Sequence, residues 1–283
     1  FFFFLCCGAI SLVEKMRCGF REILGMLAAV MSGRQFIFST FVDFKRPVTS
    51  SSIFRGSFNP ILISIEGNIG AGKTTLLESL KRNRPQWTFI NEPVDSWSKI
   101  RNEKGQSILE VFYEDRKRWS YTFQNCALLT RYQEIEGAIQ SSKSSGATGN
   151  RIFLTERCLD TDFQVFTKML KAEGSLDSLE LMLYEKLLHQ LQTTATPLSA
   201  IVHVNTRPEV CTQRILKRGR EGEDAISLEY LQALDYYQNQ WIDNTNVPNV
   251  ATDLTDVNMI LNFIDEMQNS NVGTDAIVST LLH

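Results

Sequence analysis

The chain has 283 residues, 43% hydrophobic and 22% charged, enough to bury a substantial core, while no apolar run approaches the ~18–20 residues a membrane span requires. The formal net charge of −3 is uneven: residues 1–59 hold seven Lys/Arg against three Asp/Glu, so the remainder is net acidic, which argues against nucleic acid as a partner. Six cysteines without a CxxC spacing, three of them in the N-terminal segment, predict reduced thiols in a reducing compartment.

Residues 1–59 read as an N-terminal extension. It opens FFFFLCC without a methionine, and Met16, Met26 and Met31 are candidate starts. From Met16 onward Arg17, Arg21, Arg34, Lys45, Arg46 and Arg55 stand among Ser/Thr-rich stretches with only Glu22 and Asp43 acidic. That composition is like a mitochondrial presequence, so a mitochondrial location is expected, with a cytoplasmic protein bearing a disordered extension as the alternative. Even CGFREILGMLAAVMSG is interrupted by charge, and no membrane partner is expected.

Residues 60–268 read as one α/β domain, followed by a tail over 269–283. PILISIEGNIGAGKTT joins an apolar strand to G-x-x-x-x-G-K-T. Gly67, Gly70 and Gly72 allow the backbone N–H groups to turn inward around an oligophosphate, which meets the positive end of the helix beginning at Lys73. Lys73 can reach terminal phosphates, and Thr74 offers a hydroxyl to Mg²⁺. Next, WTFINEP predicts a short second strand ending at Glu92 and Pro93. Apolar residues recur at helical spacing over 107–140, predicting one or two long helices, and SSKSSGATGN predicts an exposed loop closing them. RIFLTE is a third strand, followed by helices over 160–172 and 176–192; AIVHVN is a fourth. A helix after Pro208 runs into KRGREGED, SLEYLQALDYYQNQWI is helical, NVATD is a fifth strand, and VNMILNFIDEM is a last helix.

Strands alternating with helices predict a five-stranded parallel sheet with helices on both faces: a three-layer sandwich of the P-loop NTPase type, with a short lid. Ligands of such sheets sit beyond the carboxyl ends of the strands. Glu92, at one such end, is placed to take a proton from an attacking hydroxyl. Glu156 and Arg157, at another, can hold Mg²⁺ through water and neutralise a transferring phosphoryl group. Four cations between Arg214 and Arg220, with hinges at Gly219 and Gly222, suggest a mobile lid closing on phosphates.

From about Asn59 to Met267 the chain resembles the deoxynucleoside kinases, the group containing deoxycytidine, deoxyguanosine and mitochondrial thymidine kinases. The resemblance is carried, in order, by GNIGAGKTT, EPVDSW, ILEVFYEDRKRWSYTFQ, ERCLDTDFQVF and RILKRGREGED with SLEYLQAL. It implies that Gly67, Asn68, Ile69, Gly70, Ala71, Gly72, Lys73, Thr74 and Thr75 bind ATP together with the lid residues Arg214, Arg218 and Arg220. It implies Glu92 as the base acting on a 5′-hydroxyl, assisted by Arg157, and Thr74 with Glu156 at Mg²⁺. Gln124 would pair with the base edge, Trp97, Phe123 and Phe166 would wall the nucleoside pocket, and Tyr113 and Glu223 would hold the 3′-hydroxyl. Arg131 and Asp162 match members that accept deoxycytidine and purine deoxynucleosides, so deoxyadenosine, deoxyguanosine or deoxycytidine is favoured over thymidine. Cys158 stands where the family has Ser, and Phe163 where a basic residue is common; both departures are expected near the base pocket. A homodimer packed through the long helices is a further implication.

The expected reaction is therefore ATP-dependent phosphorylation of a deoxynucleoside 5′-hydroxyl in nucleotide salvage. Two alternatives stand beside it. A nucleoside monophosphate kinase of the thymidylate type would carry an Arg before Glu92, where this chain has Asn91. A catalytically silent nucleotide-binding subunit would not need Lys73, Glu92, Glu156 and Arg157 together.

Overall fold

The run from Ile61 to Ile65, apolar except for Ser64, is buried on both faces and forms the centre of the sheet. In the computed structural model, which describes residues 57–220 and 222–269, β1 (Phe58–Gly67) pairs in parallel with β3 (Gly149–Glu156) on one side and β4 (Leu198–Val204) on the other. β2 (Thr88–Ile90) lies beyond β3 and β5 (Asn249–Thr252) beyond β4, giving the order β2-β3-β1-β4-β5, all parallel. Alternate residues of β1 serve different cores. Ile61, Ile63 and Ile65 join the large cluster on one face, whereas Leu62 packs with Ile90, Ile135, Ile139 and Phe153 on the other. Each such side chain contributes about 1.5–3 kcal/mol on burial. The predicted α/β sandwich is thus the observed one. The expectations for residues 1–56 and 270–283, including the presequence and most of the tail, lie outside the described residues.

The helices are α1 (Lys73–Asn83), α2 (Val94–Lys99), α3 (Ile108–Glu114), α4 (Arg116–Ser144), α5 (Leu159–Thr161), α6 (Lys168–Ala172), α7 (Ser178–Gln192), α8 (Pro208–Arg218), α9 (Leu228–Asn244) and α10 (Val257–Asn269). Several boundaries follow from local chemistry. Ser107 and Glu110 form a reciprocal capping box at α3, Asp177 and Glu180 another at α7, and Pro208 opens α8 at a position that needs no N–H. Asp115 divides the region predicted as one or two helices, ending α3 and capping α4 through Arg118 N.

Three expectations are corrected. The loop foreseen over SSKSSGATGN is only Ser145–Thr148, because α4 continues to Ser144 and β3 starts at Gly149. The short α2 was not foreseen; Pro93 opens it, as proline can at a helix start. The helix expected over 160–172 contains a π-helical stretch, Asp162–Thr167, between α5 and α6. There the Thr167 hydroxyl donates to the carbonyl of Asp162 at 2.8 Å. Such widened turns occur preferentially at functional sites, and no simple periodicity announces them.

Candidate active site

The loop after β1 is tight because its glycines admit what a side chain would block. A Cβ at Gly67 (φ 139°) would sit 2.6 Å from the carbonyl oxygen of Val204, and one at Gly70 (φ 79°) 2.8 Å from that of Cys211. Asn68 locks the loop from inside, its amide donating to Leu231 O at 2.8 Å while its Oδ1 accepts from Ile69 N at 2.8 Å. Lys73 is buried and folds back, donating to Asn68 O at 2.9 Å and lying 3.6 Å from Glu156 Oε1. Burial brings its ammonium down to about 8, with Arg157 adding to the effect and Glu156 opposing it. The Thr74 hydroxyl donates to Glu156 Oε2 at 2.9 Å, so the two expected metal-binding side chains are adjacent.

Beyond the strand ends, two arginines converge on one carboxylate. Arg131 NH2 lies 3.0 Å and Arg157 Nε 3.2 Å from Glu92 Oε1, the first a hydrogen bond and the second an ion pair without hydrogen-bond alignment. Burial would raise the Glu92 pKa, but Arg157, Arg131 and Lys73 together outweigh it and bring it down to about 2. Arg131 is almost wholly buried: its Nε donates to Asp162 Oδ2 at 3.0 Å and its NH1 to Glu156 O at 2.9 Å. Burial raises the Asp162 pKa, with Arg131 holding it back. Arg157 stands in a left-handed conformation (φ 68°), unusual for a side-chain-bearing residue and costing about 1–2 kcal/mol. Its guanidinium lies over the Phe166 ring, 4.8 Å from the centroid.

These groups border a cavity of about 240 Å³. Trp97 and Phe123 meet edge to face with centroids 5.3 Å apart, and the indole N–H donates to Thr130 Oγ1 at 2.9 Å. Gln124, Tyr113 and Phe166 line the same space, and the π-helical stretch brings Asp162 and Phe166 to it together. Burial raises the Tyr113 phenol, and the charge of Glu223 adds to that. At the lid, Arg218 forks onto Glu223 through Nε at 3.0 Å and NH2 at 2.6 Å, and Arg220 NH1 reaches the same carboxylate at 3.3 Å.

The phosphate loop on the first strand thus shares one cavity with a carboxylate, two arginines and several aromatic side chains. Residues 63–278 match the family model described as deoxynucleoside kinase. The chain belongs to the deoxynucleoside kinase family. It is 32% identical to deoxycytidine kinase 2 of Gallus gallus, over 69% of this chain and 82% of that one. It is 27% identical to the mitochondrial deoxyguanosine kinase of Xenopus laevis, over 75% and 85% of the two chains, and 31% identical to deoxycytidine kinase of Homo sapiens, over 64% and 74%. As a member of the family it is a kinase that phosphorylates deoxynucleosides, with ATP as phosphate donor.

Most residues anticipated for this kinase gather at the cavity: Ile69, Gly70, Lys73, Thr74, Glu92, Trp97, Tyr113, Phe123, Gln124, Arg131, Glu156, Arg157, Asp162, Phe166, Arg218, Arg220 and Glu223. Gly67, Asn68, Ala71 and Gly72 shape the loop behind it, and Thr75 is an exposed residue of α1. Arg214 does not line the cavity; it donates to Ala71 O of the phosphate loop at 2.6 Å. Cys158 and Phe163 do not line the cavity themselves, although each directly follows a residue, Arg157 or Asp162, that does. The Cys158 thiol is buried beside Thr161, and Phe163 stacks on Tyr184 with centroids 6.4 Å apart. Asn91, Val94, Asp95, Leu109 and Ala127 line the cavity without having been anticipated. Asn91, Val94 and Asp95 flank Glu92 in the chain, and that adjacency was the available signal. No helix among the described residues is long and apolar enough to cross a membrane.

Proposed function

We propose that this kinase transfers the γ-phosphoryl group of ATP to the 5′-hydroxyl of deoxyadenosine, deoxyguanosine or deoxycytidine in preference to thymidine, as a step of nucleotide salvage. The observation that carries the preference is the buried pair of Arg131 and Asp162, 3.0 Å apart and both lining the cavity beside Gln124. A carboxylate there accepts from an exocyclic amino group, which cytosine, adenine and guanine all carry. Thymine offers no amino donor at that edge and adds a methyl group. The relatives named for deoxycytidine and deoxyguanosine support the same reading.

Glu92 accepts the proton of the 5′-hydroxyl as the bond to phosphorus forms, and its ionised state keeps that acceptor available. Arg157 orients Glu92 and meets charge developing on the transferring group, while Lys73 moves from Asn68 O to the terminal phosphates. Tyr113 and Glu223 take the 3′-hydroxyl; Arg218 and Arg220 exchange Glu223 for nucleotide phosphates as the lid closes. Thr74 and Glu156 would hold Mg²⁺ together with phosphate oxygens, and the ion would neutralise charge between the β- and γ-phosphates. With Asn91 before Glu92, and Arg131 and Arg157 both engaged by that carboxylate, the acceptor end suits a neutral hydroxyl better than a monophosphate.

A homodimer through α4 and α7 is part of the proposal. Leu179, Met182 and Leu183 are 64%, 54% and 47% exposed along α7, and Leu129 adds to this apolar surface from α4, against which α7 packs. The proposed location is mitochondrial, on the composition of residues 1–59.

The test is phosphoryl transfer from labelled ATP with Mg²⁺ to the four deoxynucleosides and their monophosphates, repeated with Arg131→Met combined with Asp162→Ala. Transfer to deoxyadenosine, deoxyguanosine or deoxycytidine, moving toward thymidine in the double variant, is the expected result. Transfer only to monophosphates, or an unchanged ranking in the double variant, would overturn the acceptor or the specificity assignment respectively.

A further inference from the structure

Glu66, directly before the first glycine of the phosphate loop, belongs to none of the roles above, yet it is a fully buried carboxyl. One oxygen, Oε1, accepts from two hydroxyls, those of Ser64 and of Thr161, the latter at 2.5 Å; Oε2 has no hydrogen-bond partner. The cations that face it, Arg157 and Arg131, are engaged with Glu92 and Asp162. Burial shifts its acidity toward the neutral acid. A carboxyl without an ion-pair partner is a costly residue in a core, so the two hydroxyls it gathers call for an explanation.

Thr161 supplies one. Its Oγ1 accepts from Cys158 N at 3.1 Å while donating to Glu66, so the carboxyl is linked through one hydroxyl to the backbone immediately after Arg157. The other contacts on this turn come from β1, β3 and α4. Arg157 N donates to Ile65 O at 3.2 Å, Thr155 Oγ1 to Arg157 O at 2.9 Å, and Arg131 NH1 to Glu156 O at 2.9 Å. A strained, left-handed Arg157 persists only if its surroundings over-determine it, and Glu66 with Thr161 adds one more hold on the turn, at Cys158 N.

We propose that Glu66 is a positioning residue: through Thr161 it holds the Glu156–Thr161 turn in the backbone conformation that aims Arg157 at Glu92 and the reacting phosphoryl group. The inference rests on the role given to Arg157 under the proposed function. It requires an acceptor at Oε1 and no negative charge.

The experiment compares Thr161→Val, Glu66→Leu and Glu66→Gln in the full chain, with Arg157→Ala alone and combined with Thr161→Val. Steady-state kinetics and thermal unfolding are read for each. Thr161→Val and Glu66→Leu are expected to lower kcat roughly ten- to a hundredfold, as sub-ångström to 1 Å displacement of a catalytic group does, with the KM for ATP within about threefold. Glu66→Gln keeps the acceptor and recovers most of the loss, a rescue that tracks the hydrogen bond and not the melting temperature. Adding Thr161→Val to Arg157→Ala should cost little more, because both changes disable the same group. If Arg157→Ala is slow but Thr161→Val and Glu66→Leu turn over normally, the positioning role fails and the role of Arg157 stands. Full additivity of the two changes also overturns it, by showing that Thr161 acts elsewhere. Normal turnover of Arg157→Ala removes both assignments.

Discussion

Replacing Glu92 by Gln removes a negative charge and leaves the shape, so its consequences divide cleanly between stability and turnover. Arg131 and Arg157 hold one oxygen of Glu92 at 3.0 and 3.2 Å, and the carboxyl is only 18% exposed. Its pKa falls from 4.5 to about 2, because the two arginines and Lys73 outweigh the effect of burial. At about 1.4 kcal/mol per unit, the fold favours the ionised group by roughly 3 kcal/mol. The folded value lies below the unfolded one, so this contribution is fully present above pH 4.5 and is lost as pH falls toward 2. Glu92→Gln should therefore melt roughly 6–12 °C lower at neutral pH, at about 2–4 °C per kcal/mol for a domain of this size. If Glu92 accepts the hydroxyl proton, kcat should fall by about 10²–10⁴, or roughly 3–5 kcal/mol of barrier, while the KM for ATP stays within about threefold. Initial rates at 25 °C, where the variant is folded, separate the two effects. A kcat within about threefold of the parent, in protein that still shows the lowered melting temperature, would refute Glu92 as the base and leave it a structural counter-ion to Arg131 and Arg157.

Lys73, brought down to about 8 chiefly by burial, should lose its proton as pH rises through that value, so kcat/KM for ATP should decline above about pH 8 by up to tenfold per unit; a flat profile to pH 9.5 would remove this lysine as the phosphate-binding cation. Gly67→Ala forces a Cβ to within 2.6 Å of Val204 O at a φ of 139°, and should cost more than about 2 kcal/mol in chemical denaturation and abolish the thermal shift produced by ATP. If the proposed dimer forms through α7, Leu183→Glu on its exposed apolar stripe should give a monomer in sedimentation where the parent chain sediments as a dimer, without lowering the melting temperature of the monomer fold; a parent that is itself monomeric, or an unchanged mass in the variant, would overturn that interface. Arg218→Ala should raise the KM for ATP several-fold while freeing one cation's hold on Glu223, and an unchanged KM would leave Arg218 a lid brace only.

Much of the site was legible before any coordinates, because its chemistry is written in short segments. The phosphate loop requires glycine where backbone approaches backbone, and Gly67, Gly70 and Gly72 meet that requirement within one stretch of the chain. Glu92, Glu156 and Arg157 end short apolar runs, and a parallel sheet collects the carboxyl ends of its strands at one edge whatever their separation in sequence. Other features depend on contacts between distant segments. Arg131, in the middle of a long helix, becomes a clasp between Asp162 and Glu92 only when α4, the π-helical stretch and the end of β2 meet. The same meeting buries Cys158 beside Thr161, stacks Phe163 on Tyr184 and ties Arg214 to the carbonyl of Ala71. Glu66 reads as one more polar residue in a strand until its hydrogen bond to Thr161, ninety-five positions on, reveals what the buried carboxyl holds. The sequence by itself determined the alternation of strand and helix, the phosphate loop and the carboxylates at the strand ends, since periodicity and turn chemistry act over a few residues. Only the tertiary structure decided which charges meet, because burial and distance, which set a carboxyl's acidity and a guanidinium's aim, belong to the packed molecule.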